Sequence, residues 1–321
     1  MTLQSDYDAL LKYIEPYQKT DPLAYLKAAV LANKITSPDW RFVRAETLQT
    51  LAAKLHETVT LCDFPGEIVI RRDGAFVDVG GVLMESSLNA TNFKLTGAPF
   101  RSQGEHLTKT LAAHHIAVST AVDIGANHGD ISLCLTRAYP SARIIAVEPS
   151  SESLRILTIN KNAQRFPTDR IEIVPFAISD TSGSVNITRG GGPMNRVIEA
   201  AGGFDVESVD SETMVGLFDK FAIGTADFVK IDIEGGEPKL QSAIVALGPR
   251  VGAYHIEFSQ FAPFEKYIEL AATLLAQRFK CFDFDGVTAL SSLEDIASHL
   301  RKTFALGRIQ VANLWFFADA P

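Results

Sequence analysis

Two short stretches hold most of the side chains that could do chemistry. The first is Ala121-Val122-Asp123-Ile124-Gly125-Ala126-Asn127-His128-Gly129-Asp130. It reads as an apolar strand ending in a carboxylate, a glycine turn, and the start of a helix. Such a unit sets a helix N-terminus and bare backbone N–H groups at the carboxyl edge of a sheet, a geometry that binds small charged cofactors. A dinucleotide fingerprint needs a middle glycine so that the pyrophosphate can approach the backbone. Asn127 stands at that position, so the turn suits a ligand without a pyrophosphate. No Gly-Lys-Ser/Thr follows, which excludes a P-loop.

The second stretch is Lys230-Ile231-Asp232-Ile233-Glu234-Gly235-Gly236-Glu237. Alternation along a strand puts Lys230, Asp232 and Glu234 on one side. Three charges on a buried strand are uncommon without a purpose. Lys230 reads as the ion-pair partner of the carboxylates. Glu237, before Pro238, fits a helix start as well as it fits a functional role. On the next strand His255 and Glu257 lie two residues apart and share a face. Asp232, Glu234, His255 and Glu257 could thus gather at one sheet edge, as a general base or as hard ligands for an ion. We expect Asp232, Glu234 and His255 to be catalytic, Glu257 to face the substrate, and no metal.

Glu148 closes the strand Ser141–Val147, about 20 residues beyond the glycine turn, where a carboxylate accepts hydrogen bonds from ribose hydroxyls. Asn195 and Arg196 follow the Gly190-Gly191-Gly192-Pro193 run, and a mobile loop bearing polar donors could close over a substrate. His128 is expected at solvent or the cofactor's edge, without a catalytic role.

These residues need a scaffold. From Ser119 onward, strand and helix patterns alternate, which implies a doubly wound, mostly parallel sheet. Strands are expected near 119–124, 143–148, 171–175, 226–232, 251–257, 280–284 and 309–317. Helices are expected near 129–138, 151–163, 205–221, 237–247, 264–277 and 291–305, with an extra strand at Ser184–Thr188. Residues 1–60 show apolar residues at helical spacing, broken by Pro16, Pro22 and Pro38, and read as a helical extension. Residues 61–118 form a lead-in with short strands, Glu67–Arg71 and Ala75–Val79, and a helix over Gly104–Ala113. Within it Val77-Asp78-Val79-Gly80-Gly81 imitates the cofactor turn but lacks the later glycine.

The chain has 321 residues, 46% of them hydrophobic, and a net charge of −8. This is globular composition, and its acidity argues against a nucleic-acid surface. Three scattered cysteines fit a reducing compartment. No apolar run reaches membrane-span length, and Asp6 and Asp8 do not fit a secretory signal, so a cytoplasmic protein is expected.

With these residues in view, the chain resembles the FkbM family of S-adenosylmethionine-dependent methyltransferases. The matching pieces are Val122–Gly129, Val147-Glu148-Pro149, Phe176-Ala177-Ile178-Ser179-Asp180, Lys230–Glu237, Glu257 and the closing Asn313–Phe317. The resemblance implies a class I methyltransferase (Rossmann-like) α/β fold of seven strands, the last antiparallel and inserted between the fifth and sixth. It implies S-adenosyl-L-methionine as cofactor. Asp123, Gly125, Ala126, Asn127 and Gly129 would hold its methionine part, Glu148 its ribose, and Phe176, Ala177 and Ile178 its adenine. Asp232 would lie beside the reacting methyl. Asp130 departs from the family, which carries an apolar or aromatic residue there. The implied reaction is O-methylation of a hydroxyl on a glycan or secondary metabolite. The rival readings are a non-catalytic cofactor- or partner-binding protein on the same scaffold and an NAD-dependent oxidoreductase.

Overall fold

The computed structural model describes residues 59–62, 67–71, 74–79, 81–85, 102–189, 195–198, 205–306 and 311–319. The chain divides into two compact units, Met1–Ser102 and Gln103–Pro321. The helical reading of residues 1–60 lies outside the described residues, apart from Val59 and Thr60, which are in a strand.

In the first unit, β1 (Val59–Cys62), β2 (Glu67–Arg71), β3 (Gly74–Val79) and β4 (Val82–Glu85) form an antiparallel meander in that order. The imitation of the cofactor turn ends β3 and leads into the β3–β4 hairpin, where Gly81 has a φ of 83°.

The second unit begins with α1 (Gln103–Ala113) and then alternates as the sequence predicts. β5 (Thr120–Ile124) leads to α2 (Asp130–Ala138), and β6 (Arg143–Val147) to α3 (Ser151–Ala163). β7 (Ile171–Val174) follows, then β8 (Ala177–Ser179), β9 (Gly183–Thr188), β10 (Val197–Ile198) and β11 (Val206–Thr213). After α4 (Met214–Lys220) come β12 (Phe228–Ile231), a 3₁₀ turn over Glu237–Leu240, and α5 (Gln241–Leu247). β13 (Ala253–Ser259), α6 (Phe264–Ala276), β14 (Phe279–Phe282), β15 (Ala289–Leu290), α7 (Leu293–Leu306) and β16 (Val311–Ala318) complete it.

The main sheet runs β15-β14-β16-β13-β12-β5-β6-β7. β16 pairs antiparallel with both β13 and β14, so the last strand is inserted between the fifth and sixth of the core. Among the described residues the sheet has an eighth member beside the seven of the core, because two-residue β15 pairs with β14. β5, β12 and β13 are buried, as parallel strands covered on both faces must be, and their polar members Asp123, Lys230, His255, Glu257 and Ser259 are buried with them. The strand order reverses between β5 and β12, and crevices for ligands form beyond the carboxyl ends of strands at such a switch.

The chain between β7 and α4 forms a second sheet of order β10-β9-β11-β8. It corrects the helix expected over 205–221: residues 206–213 are strand, and only Met214–Lys220 are helical. The helix starts where Thr213 Oγ1 accepts the Gly216 amide at 2.9 Å. Asp130, the family departure, has a packing role. Its carboxylate accepts the Gly104 amide at 2.9 Å and ties α1 to α2. A Cβ at Gly104 would stand 2.7 Å from the Asp130 carbonyl oxygen and from Cys134 Cβ, so the two helices meet at bare backbone. The glycine loop 190–194, read as a mobile lid, lies outside the described residues.

Candidate active site

The glycine turn is shaped by close packing. Gly125 follows β5 at φ 77°, and a Cβ there would stand 1.8 Å from the Asp232 carbonyl oxygen. Its amide and that of Ala126 both donate to the Val147 carbonyl at 2.9 Å. Asn127 is left-handed at φ 51°, which asparagine tolerates better than most residues. Gly129, at φ 90°, precedes α2, and a Cβ there would stand 2.3 Å from Leu157 Cδ1.

This turn organises Glu148. One carboxylate oxygen accepts the Asn127 amide and the other the Ser150 amide, both at 2.8 Å. Burial pushes its pKa up to about 7, against the pull of these two amides and of Lys230. Each oxygen retains a lone pair for a further donor.

Beneath the turn, Lys230 is buried and donates to the Gly125 carbonyl at 2.6 Å. Its Nζ lies 3.6 Å from Asp123 Oδ1 and 3.3 Å from Asp232 Oδ2. Burial works against its charge, but the two carboxylates prevail and raise its pKa. Asp123 is wholly buried and also accepts from Ser132 Oγ at 2.6 Å.

β12 ends at Ile231, and the acidic residues occupy the turn beyond it. Glu234 and Gly235 have φ of 54° and 99°. This shape is held by Glu237, whose buried carboxylate accepts the Ile233 amide at 2.8 Å, the Gly235 amide at 3.0 Å and the Tyr267 hydroxyl at 3.0 Å. Burial raises Glu237 to about 7. Its role is to hold the loop that presents Glu234.

Carboxylate oxygens of Asp232, Glu234 and Glu257 lie within 4.8 Å of one another. Strand register explains this. Ile231 pairs with Ile256, so the residues one step further on are level. Burial, then Asp232 and Glu237, pushes Glu234 up to about 8, while burial and Asp232, Glu234 and Glu237 push Glu257 well above the usual carboxylate range.

Two adjoining depressions open here. The first is lined by Gly125, Asn127, Glu148, Phe176, Ala177, Ile178, Asn195, Arg196, Asp232 and Glu234, with Val147 and Ile187 among its apolar walls. The second, a cavity of about 540 Å³, shares Arg196 and Glu234 and is bordered by Lys239, Phe261, Pro263 and Lys266. The Arg196 guanidinium stacks 4.6 Å from the centre of the Phe261 ring.

The structure therefore gathers most of the expected residues, with exceptions. Asp123 lies in the floor beneath the turn, and Ala126 and Gly129 pack inside it; none of the three lines the cleft. His255 is not brought to the cluster. It pairs in register with Lys230, one level deeper than Glu257, and is fully buried edge-on to Trp315 at 4.7 Å. Burial, then Lys230 and His106, lowers its pKa to about 3, and neither ring nitrogen has a hydrogen-bond partner. His128 is also buried rather than at solvent, lowered to about 4 by burial and Arg155. The sequence reading missed Lys239, Phe261 and Lys266, whose signal is their place just beyond the fourth and fifth core strands, in the 3₁₀ turn, the following loop and the first turn of α6.

The donor set fits S-adenosylmethionine. Glu148 can accept from a vicinal diol, Phe176 and Ile178 form an apolar wall for a base, and the buried Asn127 Oδ1 has no partner of its own. Asn127 puts a side chain where a pyrophosphate needs bare backbone, against the dinucleotide reading. Among the described residues no helix is long and apolar enough to cross a membrane.

Comparison with known proteins agrees. No curated protein sequence matches the chain. Among solved structures, a precorrin-6y C5,15-methyltransferase from Geobacter metallireducens is 14% identical, with a TM-score of 0.36 over 66% of this chain and 86% of that one. The plantazolicin methyltransferase BpumL, in complex with a monoazolic desmethylPZN analog and SAH, is 11% identical, with a TM-score of 0.40 over 73% and 90%. The N-terminal domain of human METTL16 is 14% identical, with a TM-score of 0.35 over 67% and 68%. The model of the methyltransferase FkbM domain matches residues 123–293, more than half of the chain. The chain thus belongs to the FkbM methyltransferase family, and its cofactor is S-adenosylmethionine.

Proposed function

We propose that this protein moves the methyl group of S-adenosylmethionine to a hydroxyl oxygen of a small molecule or glycan. The observation that carries the reading is the convergence of Asp232, Glu234 and Glu257, of which the first two line the cofactor cleft and Glu234 also borders the second cavity. When bound, the sulfonium supplies an activated methyl carbon, so the protein's main contribution is orientation.

An alcohol oxygen is a weak nucleophile while it keeps its proton, and a carboxylate in its path takes that proton as the C–O bond forms. Asp232 and Glu234 line the cofactor cleft, and Glu234 also borders the acceptor cavity. A carboxylate whose pKa is raised to about 8 is a stronger base than an ordinary one. Lys230 fixes Asp232, and Glu237 fixes the turn that carries Glu234. Asn195 and Arg196 supply donors at the junction, while Lys239, Gln241 and Lys266 give the acceptor cavity a polar rim. Transfer leaves S-adenosylhomocysteine, a methyl ether and a protonated carboxyl that returns its proton to solvent.

The test is a screen of sugars, glycans and hydroxylated metabolites with methyl-labelled cofactor. A labelled methyl ether is expected, with Asp232→Asn reducing its formation at least about 100-fold while S-adenosylhomocysteine still binds. Cofactor binding without transfer to any hydroxyl compound would instead favour a non-catalytic binding protein on this scaffold.

A further inference from the structure

We infer that Asp232, Glu234 and Glu257 bind a hard divalent cation at the acceptor end of the cofactor cleft. The ion's role in holding an acceptor hydroxyl rests on the reading above; its binding does not.

Three observations carry the inference. One oxygen from each of the three carboxylates falls within a 4.8 Å span. Oxygens that share an ion at 2.3–2.6 Å can be up to about 4.6–5.2 Å apart, so the three can ligate one ion with little movement. Next, Glu257 is only 7% exposed, and its Oε1 is buried without a hydrogen-bond partner. A buried carboxylate oxygen is costly unless something positive or donating meets it. Here its carboxylate is directed at two others. Finally, the nearby cations do not balance the charge of three carboxylates. Lys230 serves the Gly125 carbonyl and shares its charge between Asp123 and Asp232. Arg196 lies over Phe261. Glu237, the fourth carboxylate nearby, is occupied by two amides and Tyr267.

An all-carboxylate set selects hard ions of the Mg²⁺, Mn²⁺ and Ca²⁺ class, which take six or more oxygens. Three protein oxygens leave positions for water and for one acceptor hydroxyl. Glu234 borders both depressions, so the open side of the ion faces the acceptor cavity. A ligated hydroxyl is more acidic, and its proton has an outlet in a carboxylate oxygen that does not face the ion.

The test uses the full chain stripped with EDTA and dialysed. Mn²⁺ is titrated in, and the free ion is followed by electron paramagnetic resonance, with and without S-adenosylhomocysteine. One Mn²⁺ per chain is expected, displaceable by Mg²⁺ or Ca²⁺, with affinity at least about tenfold weaker in Glu257→Gln and in Glu234→Gln. Calorimetry with S-adenosylhomocysteine runs in parallel, and Glu257→Gln should leave that affinity within about threefold, since Glu257 does not line the cofactor cleft. No saturable Mn²⁺ uptake, or uptake equal in wild type and both variants, overturns the cation site while the methyltransferase reading stands. Failure of the cofactor analogue to bind strikes that reading instead and leaves the Mn²⁺ result readable. If Glu257→Gln does not fold, Glu234→Gln, on a partly exposed turn, decides alone.

Discussion

Lys230 Nζ lies 2.6 Å from the Gly125 carbonyl oxygen and 3.3 Å from Asp232 Oδ2, so one buried ammonium joins the cofactor turn to the acidic edge of the next strand. The two conspicuous sequence stretches thus form one structural unit. Their relative position sets how far the methyl donor sits from the carboxylates.

Replacing Lys230 with Met strands Asp123 and Asp232 without a countercharge. Removing one member of a buried pair costs about 3–5 kcal/mol. At roughly 2–4 °C per kcal/mol for a unit of this size, the melting temperature should fall by more than about 6 °C. Calorimetry should also show weakened S-adenosylhomocysteine binding. A variant that melts with wild type would show that this ammonium does not organise the site.

Gly125→Ala should be disproportionately harmful for one methyl group. The new Cβ would occupy space 1.8 Å from the Asp232 carbonyl oxygen, on a backbone at φ 77°. Turn and acidic edge must move apart, so affinity for S-adenosylhomocysteine should fall at least about tenfold. Unchanged affinity would mean that the turn's geometry is not what binds the cofactor.

His255→Phe should leave turnover within about threefold of wild type, because the ring packs against Trp315 and lines neither depression. The contrast with Asp232→Asn is the informative part. Loss of turnover in a folded His255→Phe protein would return the histidine to the chemistry.

Stability should fall as the pH rises from about 7 to 8.5. Glu148 and Glu237 are raised to about 7 and Glu234 to about 8, whereas in the unfolded chain all three are ionised above their usual value of 4.5. The folded state therefore holds more protons in this window, and stability declines as they leave. Below about 6.5 the sign is mixed. His128 and His255, lowered to about 4 and 3, bind protons only when unfolded, so they favour folding as the pH rises and offset the carboxylates. Thermal melts of metal-free protein between pH 7 and 8.5 check this; a rising melting temperature contradicts it.

What the sequence made legible depended on how local the cause was. Asp123, Gly125 and Glu148 stand at strand ends, where a short apolar run and a turn fix position without distant partners. β11 was not legible. Its residues alternate little between apolar and polar because this small-sheet strand is mostly half-buried, with only Ser208 and Asp210 exposed and a serine at its one buried position, and Met214, Leu217 and Phe218 extend a helical rhythm backwards. His255 was misplaced for a subtler reason. Alternation correctly put it on the face of Glu257, but only the inter-strand register shows that it stands level with Lys230 rather than with Asp232. Lys239, Phe261 and Lys266 reach the second cavity from a 3₁₀ turn, a loop and a helix start that share no sequence pattern.

The most direct measurement follows the label from methyl-¹³C S-adenosylmethionine into the product and identifies the atom that receives it by nuclear magnetic resonance. The account predicts a methoxy carbon on the acceptor, formed by wild type and nearly abolished in Asp232→Asn. A label found on nitrogen or carbon, or a methoxy product formed equally well by Asp232→Asn, would contradict it.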